Sequence, residues 1–484
     1  MCGITGVWNR QNKDISSHVL FSMLQVQRHR GPDGQGVVLW GVDKYKDRPF
    51  FWKGKKAPPA DIQIRLRLGL GHNLLSIQDS PENSRQPLVS KNGRYWLVYN
   101  GEIYNFIELR DELINKGVVF ETNSDAEVLL ALWETYEAES IKMLRGMFAF
   151  LVYDTYKNTL CAVRDRFGIK PLYYARLPDN LGLLFASEIH TFFVSDLLQK
   201  SCRDDALLGF LAGAVNKPDD SDTIYANIQE IPPGNFLIVK ECETQMIEYY
   251  QPVRLLRSQK KEILTESQII KELKDLFIDT VNIHLRSSRE VGTCLSGGLD
   301  STNIAYAIKS GFRKEIASFK AFTIGDRQSL DSRLSEVAAG QLSIEHKNFN
   351  SPAIIQEHDI IDMIKTCEIP NHTWGPINQY YLLRNIKGEF GIQVLLDGQG
   401  GDEVFSGYPW FFKPVYQNLL EKGETVFANE IYAKFYQNPP LPKKILDYAT
   451  KLYFSKDHWI RSFEGGAIKA LGLTEEKLMS LNSV

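Results

Sequence analysis

Leu295-Ser296-Gly297-Gly298-Leu299-Asp300-Ser301-Thr302 lies between an apolar run at 291–295 and a helical pattern at 301–309. A strand that turns through two glycines into a helix is a building unit of a parallel α/β sheet. The glycines let the backbone approach an anion, and the helix start offers unpaired N–H groups and a positive dipole end. Ser296, Ser301 and Thr302 add hydroxyl donors. No Gly-Lys-Ser/Thr is present, so this is not a Walker loop. Asp300 is acidic where a phosphate would sit, which suits a carboxylate holding Mg²⁺ between itself and the phosphates. The plain alternative is a capped strand–helix turn, as in any α/β protein.

The pattern continues outward. Residues 317–324 read as a strand, 334–342 as a helix and 393–396 as another strand. A second acidic loop, Asp397-Gly398-Gln399-Gly400-Gly401-Asp402-Glu403, follows that last strand. Ligands of open α/β sheets bind at the carboxyl ends of strands, so Asp300 and Asp402 are placed to share one metal ion. The alternative is a solvated glycine-rich loop. Upstream, a helix is predicted over 265–285, with Ile269, Leu273, Leu276, Phe277 and Val281 on one face. The charged stretch 254–262 reads as a linker. Past Tyr408 the chain is aromatic and helical in character, interrupted by Pro439-Pro440-Leu441-Pro442.

The first 200 or so residues differ. Short apolar runs at 4–8, 37–40, 68–75, 95–99, 148–153, 160–163 and 183–186 read as strands. One clear helix, 124–136, has Asp125 and Glu127 in its first turn. Residues 201–250 are mixed, with a turn at Pro232-Pro233-Gly234. Cys2 stands behind Met1 and before small Gly3, so removal of Met1 is expected. A terminal cysteine carries a nucleophilic thiol and, in its α-amine of pKa near 8, a base. Alone, Cys2 is more simply an accident of position. Tyr99-Asn100-Gly101-Glu102-Ile103-Tyr104-Asn105 offers the Asn100 amide and the Gly101 N–H as a neutral oxyanion hole; alone, Asn-Gly is a common turn.

The 484 residues suffice for two or three domains with a large core. With 56 basic against 59 acidic residues and a net charge of −3, neither nucleic acid nor an acidic membrane is a favoured partner. The cysteines at 2, 161, 202, 242, 294 and 367 form no C-x-x-C pair, so neither zinc nor a disulfide framework is indicated. Reduced thiols in the cytoplasm are expected. No secretory signal is read at the start, and no apolar run is long enough to span a bilayer.

Taken together the strings carry a family resemblance. Cys2-Gly3-Ile4, Arg28-His29-Arg30-Gly31-Pro32-Asp33, Asn100–Asn105, Ser124-Asp125-Ala126-Glu127, Arg145-Gly146-Met147-Phe148-Ala149-Phe150 and Arg164–Tyr174 look like a class II glutamine amidotransferase domain. With Ser296–Ser301 and Gly398–Glu403, the order resembles the glutamine-hydrolysing asparagine synthetase family over residues 1 to about 410. The resemblance implies a two-domain α/β protein. An N-terminal-nucleophile αββα sandwich (1–210) is followed by connecting strands and a linker (211–262) and a parallel-sheet, ATP-pyrophosphatase-type synthetase domain (263–484). It implies Cys2 attacking the glutamine amide, with Asn100 and Gly101 holding the oxyanion. Leu74, Ile77, Gln78, Glu102 and Asp125 fall at further glutamine-contacting positions, Glu102 and Asp125 at the α-amino end. Cys294, Leu295, Ser296, Gly297, Gly298, Asp300, Ser301, Ile324, Asp397, Gly398 and Gln399 fall at ATP positions, and Asp300 and Asp402 at the Mg²⁺ site. Ammonia would pass through an internal tunnel to an acyl-adenylate made from ATP and a carboxylate. The implied partners are small molecules, with no nucleic acid and no membrane; a homodimer is one assembly the resemblance allows.

Four departures stand out. Leu74 takes the place of an arginine that would pair bidentately with the glutamine α-carboxylate, a loss of roughly 2–4 kcal/mol of binding. Arg85 is a nearby candidate to compensate; otherwise Leu74 only packs and leaves a poor glutaminase. Gln399 stands where aspartate-using members carry Glu. Cys367-Glu368-Ile369-Pro370-Asn371-His372-Thr373-Trp374-Gly375-Pro376 replaces their substrate stretch, as in members that amidate sugar carboxylates. Members usually continue well past Gly407-Tyr408 with an Arg-x-Pro-Phe-Leu-Asp string and a lysine that stabilises adenylate formation; Lys443, Lys444 and Lys469 lack that context. Three readings follow: an amide-forming ligase with aspartate as default acceptor, the same chemistry on another carboxylate such as a uronic acid, or a non-catalytic relative.

Overall fold

The structure, a computed structural model, describes residues 1–432 except 56, 60, 212–220, 242, 259–263, 312–318, 353, 369–374, 406 and 409–410. Lys443, Lys444, Lys469, the prolines at 439–442 and part of the 367–376 stretch therefore lie outside the described residues.

Thirteen strands build two antiparallel sheets: β1 (Gly3–Asn9), β2 (Gly34–Gly41), β3 (Phe50–Gly54), β4 (Leu66–Leu74), β5 (Leu88–Val89), β6 (Tyr95–Ile103), β7 (Gly146–Asp154), β8 (Thr159–Arg164), β9 (Tyr173–Arg176), β10 (Gly182–Ala186), β11 (Ile228–Glu230), β12 (Asn235–Val239) and β13 (Thr244–Glu248). One sheet runs β11-β9-β10-β1-β4-β2-β3, the other β13-β12-β8-β7-β6-β5. Their inner faces meet over Ile4, Trp8, Val38, Leu70, Val98, Leu151 and Phe185. Helix α1 (Ser17–Val26) covers the outer face of the first sheet, through Leu20 and Leu24 against Val7, Val37 and Leu39. Helices α2 (Phe106–Asn115) and α3 (Asp125–Tyr136) cover the second, through Leu113, Leu129 and Trp133 against Leu97 and Phe150. The result is an αββα sandwich. Because both faces of β1 are covered, all of its residues are buried, which is why it reads as a nearly continuous apolar run rather than an alternating one.

Two differences from the sequence reading matter. Strands β11 to β13, expected in a connecting segment, extend the two sheets, β11 beside β9 and the β12–β13 pair beside β8, so the sandwich runs to Glu248. The 254–262 stretch begins as helix α5 (Pro252–Ser258), after α4 (Asp204–Leu211).

The second half holds four parallel strands, β14 (Val291–Cys294), β15 (Lys320–Ile324), β16 (Glu345–Phe349) and β17 (Val394–Leu396), in the order β16-β15-β14-β17. Helix α6 (Glu266–His284) enters on a capping box between Thr265 and Gln268. Only its C-terminal half packs, through Phe277, Ile278 and Val281; Ile269, Leu273 and Leu276 are exposed, against the single packed face that periodicity predicts. Helices α7 (Leu299–Gly311), α8 (Leu330–Leu342), α9 (Glu357–Cys367) and α10 (Gly375–Phe390) complete the layers, with α10 closing the sheet through Leu382 and Ile386 against Phe322 and Phe349. Strand order reverses at β14, since β15 lies on one side of it and β17 on the other. That reversal opens a crevice at the strands' carboxyl ends. Among the described residues no helix is long and apolar enough to cross a membrane.

Gly36 gives a direct test of the packing. A Cβ there would stand 1.9 Å from the Gln86 carbonyl oxygen, so Gly36→Ala should cost about 1–3 kcal/mol or more. Gly209 in α4 has nothing within 4 Å of such a Cβ, so Gly209→Ala should be neutral or stabilise by about 0.5–1 kcal/mol. In urea melts Gly36→Ala should unfold at a clearly lower midpoint than Gly209→Ala, and equal midpoints would contradict the packing described.

Candidate active site

Strand β1 pairs with β4 so that Gly3 faces Asn73, which sets Cys2 beside Leu74 at the strand end. The Cys2 Sγ accepts the Leu75 N–H at 3.3 Å. Its thiol is pushed up by burial, so the resting group is protonated and needs a base. The α-amine, here on Met1, is pushed down to about 5, again by burial. The surroundings thus favour a neutral amine beside a neutral thiol.

A cleft opens at Cys2 and is lined by Leu74, Ile77, Gln78, Gly101, Glu102 and Asp125 among others. Seven of the residues expected at the first site therefore share one cavity. Asn100 lies one residue behind, 1% exposed, and its Nδ2 has no acceptor among the described residues. A buried amide donor without a partner is costly unless something accepts from it, which fits the donor role expected of it. The Asn-Gly pair is not a turn: β6 continues through it, with Gly101 opposite Phe148 on β7.

Two acids form one end of the cleft. Asp125 heads α3 behind the N-cap Ser124, and its Oδ2 accepts from the Tyr99 hydroxyl at 2.7 Å and the Ile103 N–H at 3.0 Å. Burial pushes its carboxyl up. Glu102 accepts from Gln78 Nε2 at 2.7 Å and is pushed up to about 8, by burial first and the Asp125 charge second. Two buried carboxyls that resist ionising suit a cationic ligand group that would relieve both.

Other residues at this site carried no assigned role in the sequence reading. Lys170 is 6% exposed, and burial pushes its amine down while the Glu102 charge opposes that shift. A lysine inside the apolar run 167–174 was the available signal. Arg30 donates from Nε to the Cys2 carbonyl at 2.9 Å and from Nη1 to Glu188 at 2.9 Å, fixing the strand end. Gln86 brackets Tyr99, accepting from its N–H at 2.6 Å and donating to its carbonyl at 3.2 Å. No local pattern announces Gln86, because its partners lie on another strand.

The second half presents the other expected residues around the β14/β17 crevice. Cys294 ends β14, with its thiol pushed up to about 12 by burial. The following loop is held by Ser301 Oγ, which takes the Ser296 N–H at 3.2 Å, and by Ser296 Oγ, which takes the Gly298 N–H at 3.3 Å. Gly297 has φ +75°, and a Cβ there would meet Leu334 at 2.5 Å, so only glycine fits. Asp397, Gly398 and Gln399 follow β17, which pairs in parallel with β14. A Cβ on Gly401 would lie 2.4 Å from Asp300 Oδ2, so the two loops touch. Burial, then the charges of Asp402 and Glu403, push the Asp300 carboxyl up. Carboxylates crowded this way fit a Mg²⁺ ion, which takes one or two protein carboxylates and fills its shell with water and substrate phosphates. Among the described residues no cluster of three metal-ligating side chains occurs. Leu295 is buried beneath the loop, and Ile324 ends β15 on the same side.

The halves meet at the first cleft. Arg289 donates to the Ser76 carbonyl at 2.9 Å and Asp33 at 3.1 Å, the Ser288 N–H to the Ile77 carbonyl at 2.9 Å, and Gln78 to the Arg286 carbonyl at 2.7 Å. Glu368 of the variant stretch accepts the N–H groups of Ile189 and His190 at 2.7 and 2.6 Å.

An αββα sandwich with a cysteine at the head of a central strand, joined to an open parallel sheet, defines a two-domain amidotransferase architecture. Residues 59–250 match the family described as a glutamine amidotransferase domain, and 272–461 the one described as asparagine synthase. The chain belongs to the glutamine-hydrolysing asparagine synthetase family. It is similar to glutamine-hydrolyzing asparagine synthetase 1 of Bacillus subtilis, 33% identical over 441 residues, 87% of this chain and 61% of that protein. Synthetase 2 of the same organism is 27% identical over 89% of this chain and 56% of its own length. Amidase chyE of Penicillium rubens is 27% identical over 85% of this chain and 60% of its own. The chain thus spans about three-fifths of the length of these relatives.

A pH test follows from Glu102. With its carboxyl at about 8 in the free cleft, binding an ammonium group there must release a proton at neutral pH. Glutamine affinity should rise from about pH 6 to about pH 8 and level off above. Calorimetry in two buffers of different ionisation enthalpy should report the release; heats identical in both would remove Glu102 from the ammonium site.

Proposed function

We propose that this protein is an ATP-dependent amide-forming ligase that draws ammonia from glutamine at Cys2. The observation that carries this reading is the convergence of Cys2, Gly101, Glu102 and Asp125 on one cleft. With Met1 removed, the α-amine passes to Cys2. It takes the thiol proton as sulfur attacks the glutamine side-chain carbon, and the oxyanion is met by Asn100 Nδ2 and the Gly101 N–H. Collapse delivers that proton to the leaving ammonia and leaves a thioester, which water hydrolyses to glutamate. At the β14/β17 crevice a carboxylate oxygen attacks the α-phosphorus of ATP and pyrophosphate leaves. Ammonia then takes the acyl carbon and AMP departs. Ser296, Ser301 and the loop N–H groups hold the phosphates, and Asp300 and Asp402 would hold Mg²⁺, which supplies charge neutralisation for the leaving pyrophosphate.

Aspartate is the default acceptor. A second reading, a different carboxylate such as a uronic acid, is favoured by Gln399, by the variant stretch around Glu368, and by the similarity to a relative named an amidase. A reducing cytoplasmic setting suits the chemistry, and Cys2, Cys161, Cys202, Cys294 and Cys367 form no disulfide.

Cys2→Ala should abolish glutamate release from glutamine yet leave ammonia-driven pyrophosphate release intact. Retained glutaminase would sink the nucleophile assignment. Pyrophosphate formed with aspartate, with glucuronate, or with neither identifies the acceptor class or overturns the ligase reading. Asp300→Ala and Asp402→Ala should each abolish ATP–pyrophosphate exchange while glutaminase persists. Exchange surviving in either variant would remove that carboxylate from the phosphate site.

A further inference from the structure

Glutamine is a zwitterion, and the residues that line the cleft supply acids for its ammonium but no arginine or lysine for its α-carboxylate. Position 74, where the family resemblance expects an arginine, holds a leucine that is 3% exposed. The sheet shows where another cation sits. Continuing the β1–β4 register places Cys2 opposite Leu74, and Leu74 pairs with Gly34 on β2. Directly paired residues point to the same face, so Cys2, Leu74 and Gly34 form one row across the inner face. Gly34 has no side chain, and the space a Cβ would take there is bounded by Arg85, with Nε at 3.7 Å and Cγ at 3.8 Å. The neighbouring Gly36 makes room for the Gln86 carbonyl in the same way. Two glycines on β2 thus admit the 84–86 segment, whose Ser84 and Gln86 line the cleft on either side of Arg85.

The spacing fits the substrate. Two strand separations put Gly34 about 10 Å from the Cys2 column. A near-attack sulfur–carbon distance of about 3–3.5 Å plus about 5 Å of extended glutamine puts the α-carboxylate about 8–9 Å from Sγ. Arg85 also has capacity to spare. Its Nε has no acceptor among the described residues, and its one carboxylate contact, Glu82 at 3.4 Å, is with a side chain 58% exposed. Lys53, which donates to the Arg85 carbonyl at 3.3 Å, adds a second cation. Arg30, by contrast, is committed to Glu188 and the Cys2 carbonyl. Lys170, which like Arg85 stands behind the lining residues, is already set against Glu102, whose charge opposes the lowering of its buried amine.

We propose that Arg85 binds the α-carboxylate of glutamine, reaching over Gly34 to the place an arginine at position 74 would otherwise serve. This rests on the glutaminase reading of the Cys2 cleft, and the experiment separates the two. In the Cys2→Ala protein, which cannot turn over, the dissociation constants of glutamine and of glutaminamide, whose α-carboxylate is a neutral amide, are measured by calorimetry. Adding Arg85→Ala should weaken glutamine by about 30- to 1000-fold and leave glutaminamide within about twofold; Arg85→Lys should fall between. In the Cys2 enzyme, Arg85→Ala should raise KM with little change in kcat. Equal weakening of both ligands would mean Arg85 only shapes the loop, and an unchanged preference for glutamine would mean another group holds the carboxylate. Either result overturns the proposal, as does a Cys2→Ala protein that does not bind glutamine. A Cys2 enzyme that releases no glutamate, beside a Cys2→Ala protein whose glutamine affinity depends on Arg85, would sink the glutaminase reading and leave Arg85 in place.

Discussion

The register of β1 between β4 and β10 is the constraint on which this molecule depends. The seven residues of β1 run from Cys2 toward the opposite end of the sandwich, and all of them are buried. A one-residue slip would move every side chain of β1 to the other face. Ile4 and Trp8 would leave the layer between the sheets, and Cys2 would turn toward α1. Pairing on both sides forbids that slip: Gly3 is fixed to Asn73 on β4, and Thr5 to Ala186 on β10. Arg30 adds a polar lock at the Cys2 carbonyl. The position of the thiol is therefore a property of the whole sheet.

That placement sets the electrostatics. The sandwich brings two carboxyls into a cleft too dry to ionise both readily, and the cation that relieves Glu102 inside the protein, Lys170, is itself driven toward neutrality by burial. Such a site is unsatisfied without a ligand, and the unpartnered Asn100 amide is a further sign. The second half repeats the device more openly. Asp300 is crowded by Asp402 and Glu403 where the loops meet, a crowding of like charge that a cation would relieve.

The sequence was most legible where one strand or one turn carries the information. Apolar runs predict strands of the sandwich and, in the second half, β14, β15 and β17. Ser124 marks the start of α3 because its hydroxyl caps the Ala126 N–H. The polar strand β16, Glu345–Phe349, escapes detection because an edge strand needs no apolar alternation. Helix α6 misleads in the other direction, since its apolar stripe is longer than the part that meets the sheet. At the site, motifs give Cys2, Gly101, Glu102 and Asp125. They do not give Gln86, which acts through Tyr99 on a neighbouring strand, or the relation of Arg85 to Leu74, which exists only through Gly34 between them.

The join between the halves combines main-chain hydrogen bonds with ion pairs such as Arg289–Asp33. The Arg286–Glu108 pair is bidentate, but Glu108 is more than half exposed, so it contributes about 0–1 kcal/mol. The contacts with directional content are those of residues 286–289 with the Ser76, Ile77 and Gln78 loop, four of which use main-chain carbonyls of that loop or of Arg286. The loop lines the glutamine cleft, and residues 286–289 run directly into β14, whose far end is the Ser296 turn. One stretch of chain thus fixes the wall of the first site and the root of the strand that presents the second.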